Sequence, residues 1–111
     1  MADERRRTPR FPFAGTAEIL AHGASGTSPA KVTELSLFGC YVETVHTLEK
    51  GAHAVLKIYT EGRYFESQGM VLYVQPGQGM GVGFQNVKPH YLTVLKMWLI
   101  EAARSKFGKP D

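Results

Sequence analysis

The sequence predicts a mainly β protein, a six-stranded antiparallel β-barrel followed by a C-terminal α-helix. Two patterns predict this fold. Between residues 13 and 84, short apolar segments with partly alternating polarity are separated by turns that contain glycine, proline and serine, as in half-buried strands. From residue 89 onward, the apolar spacing changes to the 3.6-residue period of an amphipathic helix. A chain of 111 residues suffices for one domain with one hydrophobic core.

The six strands are predicted in chain order at residues 13–21, 30–35, 40–44, 52–60, 64–75 and 79–84. Within the fifth strand, Gly69 is a candidate for a β-bulge or bend. The sixth strand has the sequence GMGVGF, so its glycines share one face and its apolar side chains share the other. A bare glycine face serves strand curvature at barrel closure, or allows close approach by another backbone, a helix or a flat ligand.

The predicted helix spans residues 89–105. Asn86 is the candidate N-cap, and Pro89 suits the first helical turn. The apolar stripe of the helix should pack on the barrel, and its central members are Leu95, Trp98 and Leu99.

No pattern in the sequence predicts an enzyme, a metal site or a cofactor. The four histidines are scattered without the spacing of metal ligands, and Cys40 has the apolar neighbours of a packed side chain. The GMGVGF glycines belong to no βαβ unit, which excludes a dinucleotide-binding loop. No apolar run reaches the roughly 18 residues of a membrane span. With no apolar signal segment and a single cysteine, the chain is expected in the cytosol.

The positive charge is concentrated at the N-terminus. Of the net charge of +3, residues 1–10 contribute +2, because they contain Arg5, Arg6, Arg7 and Arg10 against two acidic residues. A nearly neutral remainder argues against a general DNA- or RNA-binding surface. Guanidinium groups bind phosphate in bidentate fashion and also stack on flat bases, so an all-arginine cluster favours recognition of phosphate and base together. A solvated basic tail is the alternative.

The segment ELSLFG, residues 34–39, combines a carboxylate, a hydroxyl and a glycine in one predicted turn. The carboxylate of Glu34 can accept from the two adjacent donors on the Watson–Crick edge of guanine. The hydroxyl of Ser36 can donate or accept, and Gly39 permits a tight turn and close ligand approach. Taken alone, the segment is an ordinary turn between strands.

Together, the RxxxR arm, the ExSxxG turn, the GMGVGF strand and the C-terminal helix resemble the PilZ domain family. The resemblance implies a six-stranded barrel that binds the bacterial second messenger cyclic di-GMP. It implies that Arg6 and Arg10 wrap over the ligand, while Glu34, Ser36 and Gly39 read guanine. The family pattern has Asp or Asn where this chain has Glu34, whose extra methylene displaces the carboxylate by about 1.5 Å.

By the same resemblance, residues 1–12 form a flexible ligand-binding arm, and residues 13–106 form the PilZ-like barrel with its helix. The residue before RxxxR influences whether one cyclic di-GMP or a stacked pair binds, and Arg5 at this position favours the pair. We expect a receptor in the bacterial cytosol that signals by arm closure to a protein partner and regulates motility or biofilm formation. The alternatives are a PilZ-like protein adaptor that binds no nucleotide, as in type IV pilus assembly, and a barrel for single-stranded nucleic acid.

Overall fold

The structure is a computed structural model that describes residues 8–107, with side chains described as far as residue 105. It contains six strands and one helix. Their bounds are β1 Phe11–Ala21, β2 Ser28–Leu35, β3 Gly39–Glu43, β4 His53–Thr60, β5 Arg63–Gln75, β6 Gly79–Gln85 and α1 Pro89–Phe107. The elements agree with the sequence prediction, although β1 begins two residues earlier and therefore includes the end of the predicted arm.

The strands form a closed antiparallel barrel in the order β1-β2-β3-β6-β5-β4, and pairing of β1 with β4 closes it. Hairpins connect β1 to β2, β2 to β3, β4 to β5 and β5 to β6. The pairing of β3 with β6 joins the first three strands to the last three. This arrangement confirms the predicted fold class, and it places the β2–β3 turn beside β6 and β5.

The barrel interior and one face of α1 form the hydrophobic core. Trp98 is 1% exposed, and its ring centroid lies 5.3 Å from that of Phe13 on β1 and 6.2 Å from that of Phe65 on β5. Leu95 is fully buried, and Leu99 packs against the same core. The helix face predicted from the sequence is therefore confirmed.

The start of α1 differs from the prediction. Leu92 N donates to Lys88 O at 2.9 Å, which places Lys88 at the N-cap position. Asn86 lies two residues earlier, with a left-handed φ of 55°. The prediction of Asn86 as the N-cap is wrong, because this residue makes the turn between β6 and the helix, a conformation that asparagine tolerates better than most side chains.

The bulge in β5 also lies elsewhere than predicted. Gly69 pairs in regular register with Ala54 on β4 and Phe84 on β6. A Cβ at this position would lie 2.6 Å from Val82 Cγ1, so the glycine serves close packing. The register shift falls between Val71 and Tyr73, three residues further along the strand.

Among the described residues, no helix has both the length and the apolar character required to cross a membrane.

Candidate functional site

An open cavity of about 530 Å³ lies where the start of β1 and the β2–β3 turn meet the outer surface of β6 and β5. This volume is within the range of sites that hold small-molecule ligands. The predicted site residues that line it are Arg10, Glu34, Ser36 and Gly39. Arg5 and Arg6 lie outside the described residues. The fold thus brings the end of the arm and the whole ExSxxG turn to one place.

The hydroxyl of Ser36 is committed to its own turn. Its Oγ accepts from the backbone N–H of Phe38 at 3.3 Å and of Gly39 at 3.2 Å, and it donates to Gly39 O at 3.1 Å. Ser36 N also donates to Gly39 O at 2.9 Å. Because Ser36 is only 9% exposed and its hydroxyl is fully used, its direct contribution is to hold the turn in shape.

The close approach of β6 leaves no room for a side chain at Gly39. A Cβ on Gly39 would lie 2.3 Å from Val82 O of β6, a backbone atom that cannot rotate away. On the same side of the turn, Phe84 N donates to Phe38 O at 2.8 Å. The glycine therefore lets the β2–β3 turn lie directly against β6, and this contact fixes one wall of the cavity.

A β-bulge directs Glu34 to the outer surface. Val32 pairs with Val42 on β3, but the next pair is Glu34 with Tyr41, so Thr33 is the extra residue. Val32 and Leu35 both remain fully buried, which leaves Thr33 and Glu34 together on the outside between them. Glu34 is half-buried and lines the cavity.

Three charged side chains line the cavity without a partner among residues 8–107. They are Arg10, Glu34 and Lys50, and none of them forms an ion pair or a side-chain hydrogen bond within that part of the chain. Two cations and one carboxylate are therefore available to a ligand. Sequence reasoning missed Lys50, because it lies in the connection between β3 and β4 and no local pattern brings it to the turn.

Aromatic side chains cover the glycine face of β6. A Cβ on Gly81 would lie 2.2 Å from a ring carbon of Tyr73, and a Cβ on Gly79 would lie 2.5 Å from the hydroxyl of Tyr41. The two tyrosine rings are close to parallel, at 26°, with centroids 6.2 Å apart. Side chains of the two adjacent strands thus lie against these glycines, whereas the sequence analysis considered only strand curvature or approach by a backbone, a helix or a flat ligand.

Cys40 also lines the cavity, and burial raises the pKa of its thiol. The thiol therefore stays protonated at neutral pH, consistent with the packed side chain that the sequence predicted. The described residues contain no group of three or more histidine, cysteine or acidic side chains placed to hold a metal ion.

Several solved structures share this fold. The PilZ domain of YcgR from Escherichia coli, solved with c-di-GMP, gives a TM-score of 0.74 at 19% identity, covering 96% of this chain and 99% of that one. The Bacillus subtilis inhibitor of motility, MotI/DgrA, gives 0.74 at 16% identity, covering 93% of this chain and 53% of that one. The Escherichia coli YcgR complex with c-di-GMP gives a TM-score of 0.76 at 18% identity, covering 92% of this chain and 47% of that one. This chain spans about half the length of these two longer proteins.

The sequence itself identifies the family. Comparison with curated proteins found no match. Residues 4–101 match the family described as PilZ domain, a range that contains both the arginine arm and the ExSxxG turn. The chain therefore belongs to the PilZ domain family.

Proposed function

We propose that this chain is a cyclic di-GMP receptor module. The observation that carries the proposal is the convergence of Arg10 and the ExSxxG turn on one open cavity in a barrel of the PilZ domain family. The cavity offers charges of both signs that have no partner among residues 8–107, and these suit recognition of a phosphodiester together with a guanine base. In support, the YcgR domain that shares the fold was solved with c-di-GMP.

Each charged group has a distinct role in this proposal. Arg10, joined by Arg6 of the same arm, binds phosphate oxygens through its guanidinium fork and stacks on a base. Lys50 adds a point charge toward a phosphate from the connection between β3 and β4. Glu34 accepts hydrogen bonds from the two adjacent N–H donors of guanine. Its side chain is longer than the Asp or Asn of the family pattern, which suits its position on the outer surface at the bulge.

Ser36 and Gly39 support binding indirectly in this proposal. The serine hydroxyl holds the turn, and the glycine lets the turn lie against β6. Together they fix the strand end from which Glu34 projects.

The signal would be carried by the arm. Ligand binding would order the arginines of residues 1–12 over the cavity and change the surface that a protein partner recognises. We place this receptor in the bacterial cytosol. Regulation of motility is the favoured output, since one protein with this fold is an inhibitor of motility.

Isothermal titration of the full chain with cyclic di-GMP, GTP and a single-stranded RNA tests the proposal. We expect cyclic di-GMP to bind and the other two to show no saturable heat. We expect two ligands per chain, because Arg5 can contact the second molecule of a stacked pair. A ratio of one would reject the pair but keep the receptor. Absence of cyclic di-GMP binding would reject the receptor and favour the protein adaptor, and preferential RNA binding would favour a nucleic-acid-binding barrel.

A further inference from the structure

Two histidines lie opposite each other where the barrel closes. In the pairing of β1 with β4, Ala21 is opposite Ala54. The next pair is His22 with His53, and His22 N donates to His53 O at 3.0 Å. The side chains of two residues paired in this way project from the same face of the sheet, with their Cβ atoms about 5 Å apart.

Both imidazoles lie on the outer surface of the barrel. Ile19 on β1 and Leu56 on β4 are buried in the core, and successive side chains of a strand point to opposite faces. His22 follows Ile19 by three positions and His53 precedes Leu56 by three, so each histidine is on the face away from the core. Both histidines are exposed, in agreement with this alternation.

The two histidines line a second cavity, of about 380 Å³, which is separate from the one described above. Arg10, just before β1, lines the first cavity, whereas His22, just after β1, lines the second. Among the described residues, the side chains that line the second cavity carry no fixed charge, and Gln68 adds an amide oxygen. No lysine or arginine there repels a metal cation, and no carboxylate favours a hard ion such as Mg²⁺.

The strands hold the pair of histidines in position. Directly after His22, Ala24 N donates to Ala21 O at 3.0 Å, and Gly23 has a left-handed φ of 83°, so a tight turn fixes this end of β1. His53 is the first residue of β4 and is also paired with β5. Ligands that project from paired strands are held more precisely than ligands on loops.

We propose that His22 and His53 form a binding site for one late first-row divalent metal ion, which Cu²⁺ occupies most tightly. Neutral imidazole is the commonest metal ligand of proteins, and among zinc, nickel and copper the affinity of nitrogen ligands is highest for copper. Water completes the coordination of the ion. A bound ion joins β1 to β4 at the pairing that closes the barrel. The sequence gave no sign of this pair, because β1 and β4 are distant in the chain.

Calorimetric titration of the full chain with CuCl₂, without nucleotide, tests the assignment. We expect the wild type to bind Cu²⁺ and to show no saturable heat with MgCl₂. His22→Ala and His53→Ala should each weaken Cu²⁺ binding by at least roughly 10-fold, because loss of an outer-shell partner alone costs that much. His90→Ala is the matched control and should bind Cu²⁺ like the wild type, because His90 is exposed but lies outside the second cavity.

A second measurement uses the wild-type protein and does not depend on the folding of a variant. Cu²⁺ is paramagnetic and broadens the NMR resonances of the groups that bind it. Substoichiometric Cu²⁺ should broaden the ring resonances of His22 and His53 together, before those of His90. Wild-type Cu²⁺ affinity in His22→Ala or in His53→Ala, an equal loss in His90→Ala, Mg²⁺ binding as tight as that of Cu²⁺, or broadening of only one ring of the pair would each overturn the inference. The proposed cyclic di-GMP site is tested separately, because it occupies the other cavity.

Discussion

Replacement of Gly39 by alanine should destabilise the barrel itself. The new Cβ would lie 2.3 Å from Val82 O, whereas ordinary van der Waals contact begins at 3.4 Å, so the turn and β6 would have to separate by about 1.1 Å. That movement would stretch the 2.8 Å hydrogen bond from Phe84 N to Phe38 O beyond bonding distance. Overpacking costs about 1–3 kcal/mol and the lost hydrogen bond about 1 kcal/mol, so we expect a loss of about 2–4 kcal/mol.

Urea denaturation followed by tryptophan fluorescence measures this loss, because Trp98 is buried in the core. The midpoint should fall by roughly 1–3 M urea, given the usual dependence of unfolding free energy on denaturant. The control is Gly26→Ala, since Gly26 has open space around it and a φ outside the left-handed range. Its stability should stay within about 0.5 kcal/mol of the wild type. A Gly39→Ala protein with wild-type stability and no ligand binding would refute this reasoning and show that the glycine serves ligand approach.

The other predictions concern the core and the cavity charges. Trp98→Ala should lose about 3–5 kcal/mol of unfolding free energy. Trp98→Phe should lose clearly less, because Trp98 Nε1 has no hydrogen-bond partner among the described residues. Equal losses for the two variants in urea denaturation would contradict this prediction. Lys50→Gln should weaken cyclic di-GMP binding by roughly 10-fold in calorimetry, while the exposed Lys31→Gln, outside the cavity, should not; equal effects would indicate non-specific charge attraction. Arg10→Ala should lose about 1.5–3 kcal/mol of binding free energy for cyclic di-GMP, and Arg10→Lys should recover only part of this loss. Full recovery in Arg10→Lys would show that positive charge alone suffices. Glu34→Asp should bind cyclic di-GMP as tightly as the wild type or more tightly, and Glu34→Ala should lose about 1–3 kcal/mol of binding free energy. Unchanged affinity in Glu34→Ala would show that this position does not recognise guanine.

Periodicity was sufficient to predict the elements of the fold. Alternation identified all six strands to within about two residues at each end, and the 3.6-residue spacing identified the helix and its buried Trp98. These signals are local, because the same side chains that form an element also bury one of its faces. The ExSxxG turn was likewise visible, since its hydrogen bonds join residues at most three positions apart.

The remaining site features depend on pairing between distant segments. A bulge changes which face a side chain occupies, and neither Thr33 nor Leu72 is a residue type that marks a bulge in a sequence. Simple alternation therefore gave no reason to place Tyr73 beside the cavity. Lys50 lines the cavity because the β3–β4 connection is hydrogen-bonded to β5: Gly51 N donates to Val71 O at 2.8 Å, and Val71 N donates to Ala52 O at 2.9 Å. Gly69 suggested a bulge because glycine often marks one, but here it makes room for Val82.

Closure of the barrel limits how another protein can recognise this domain. Within residues 8–107, each strand has a hydrogen-bonded neighbour on both sides over at least part of its length, so no strand of the sheet is an edge from end to end. Partners that bind by adding a strand need such an edge, and the same lack of an edge protects against edge-to-edge aggregation. We therefore expect a partner of the barrel to contact mainly its side chains, and single surface substitutions can map that contact without breaking the sheet.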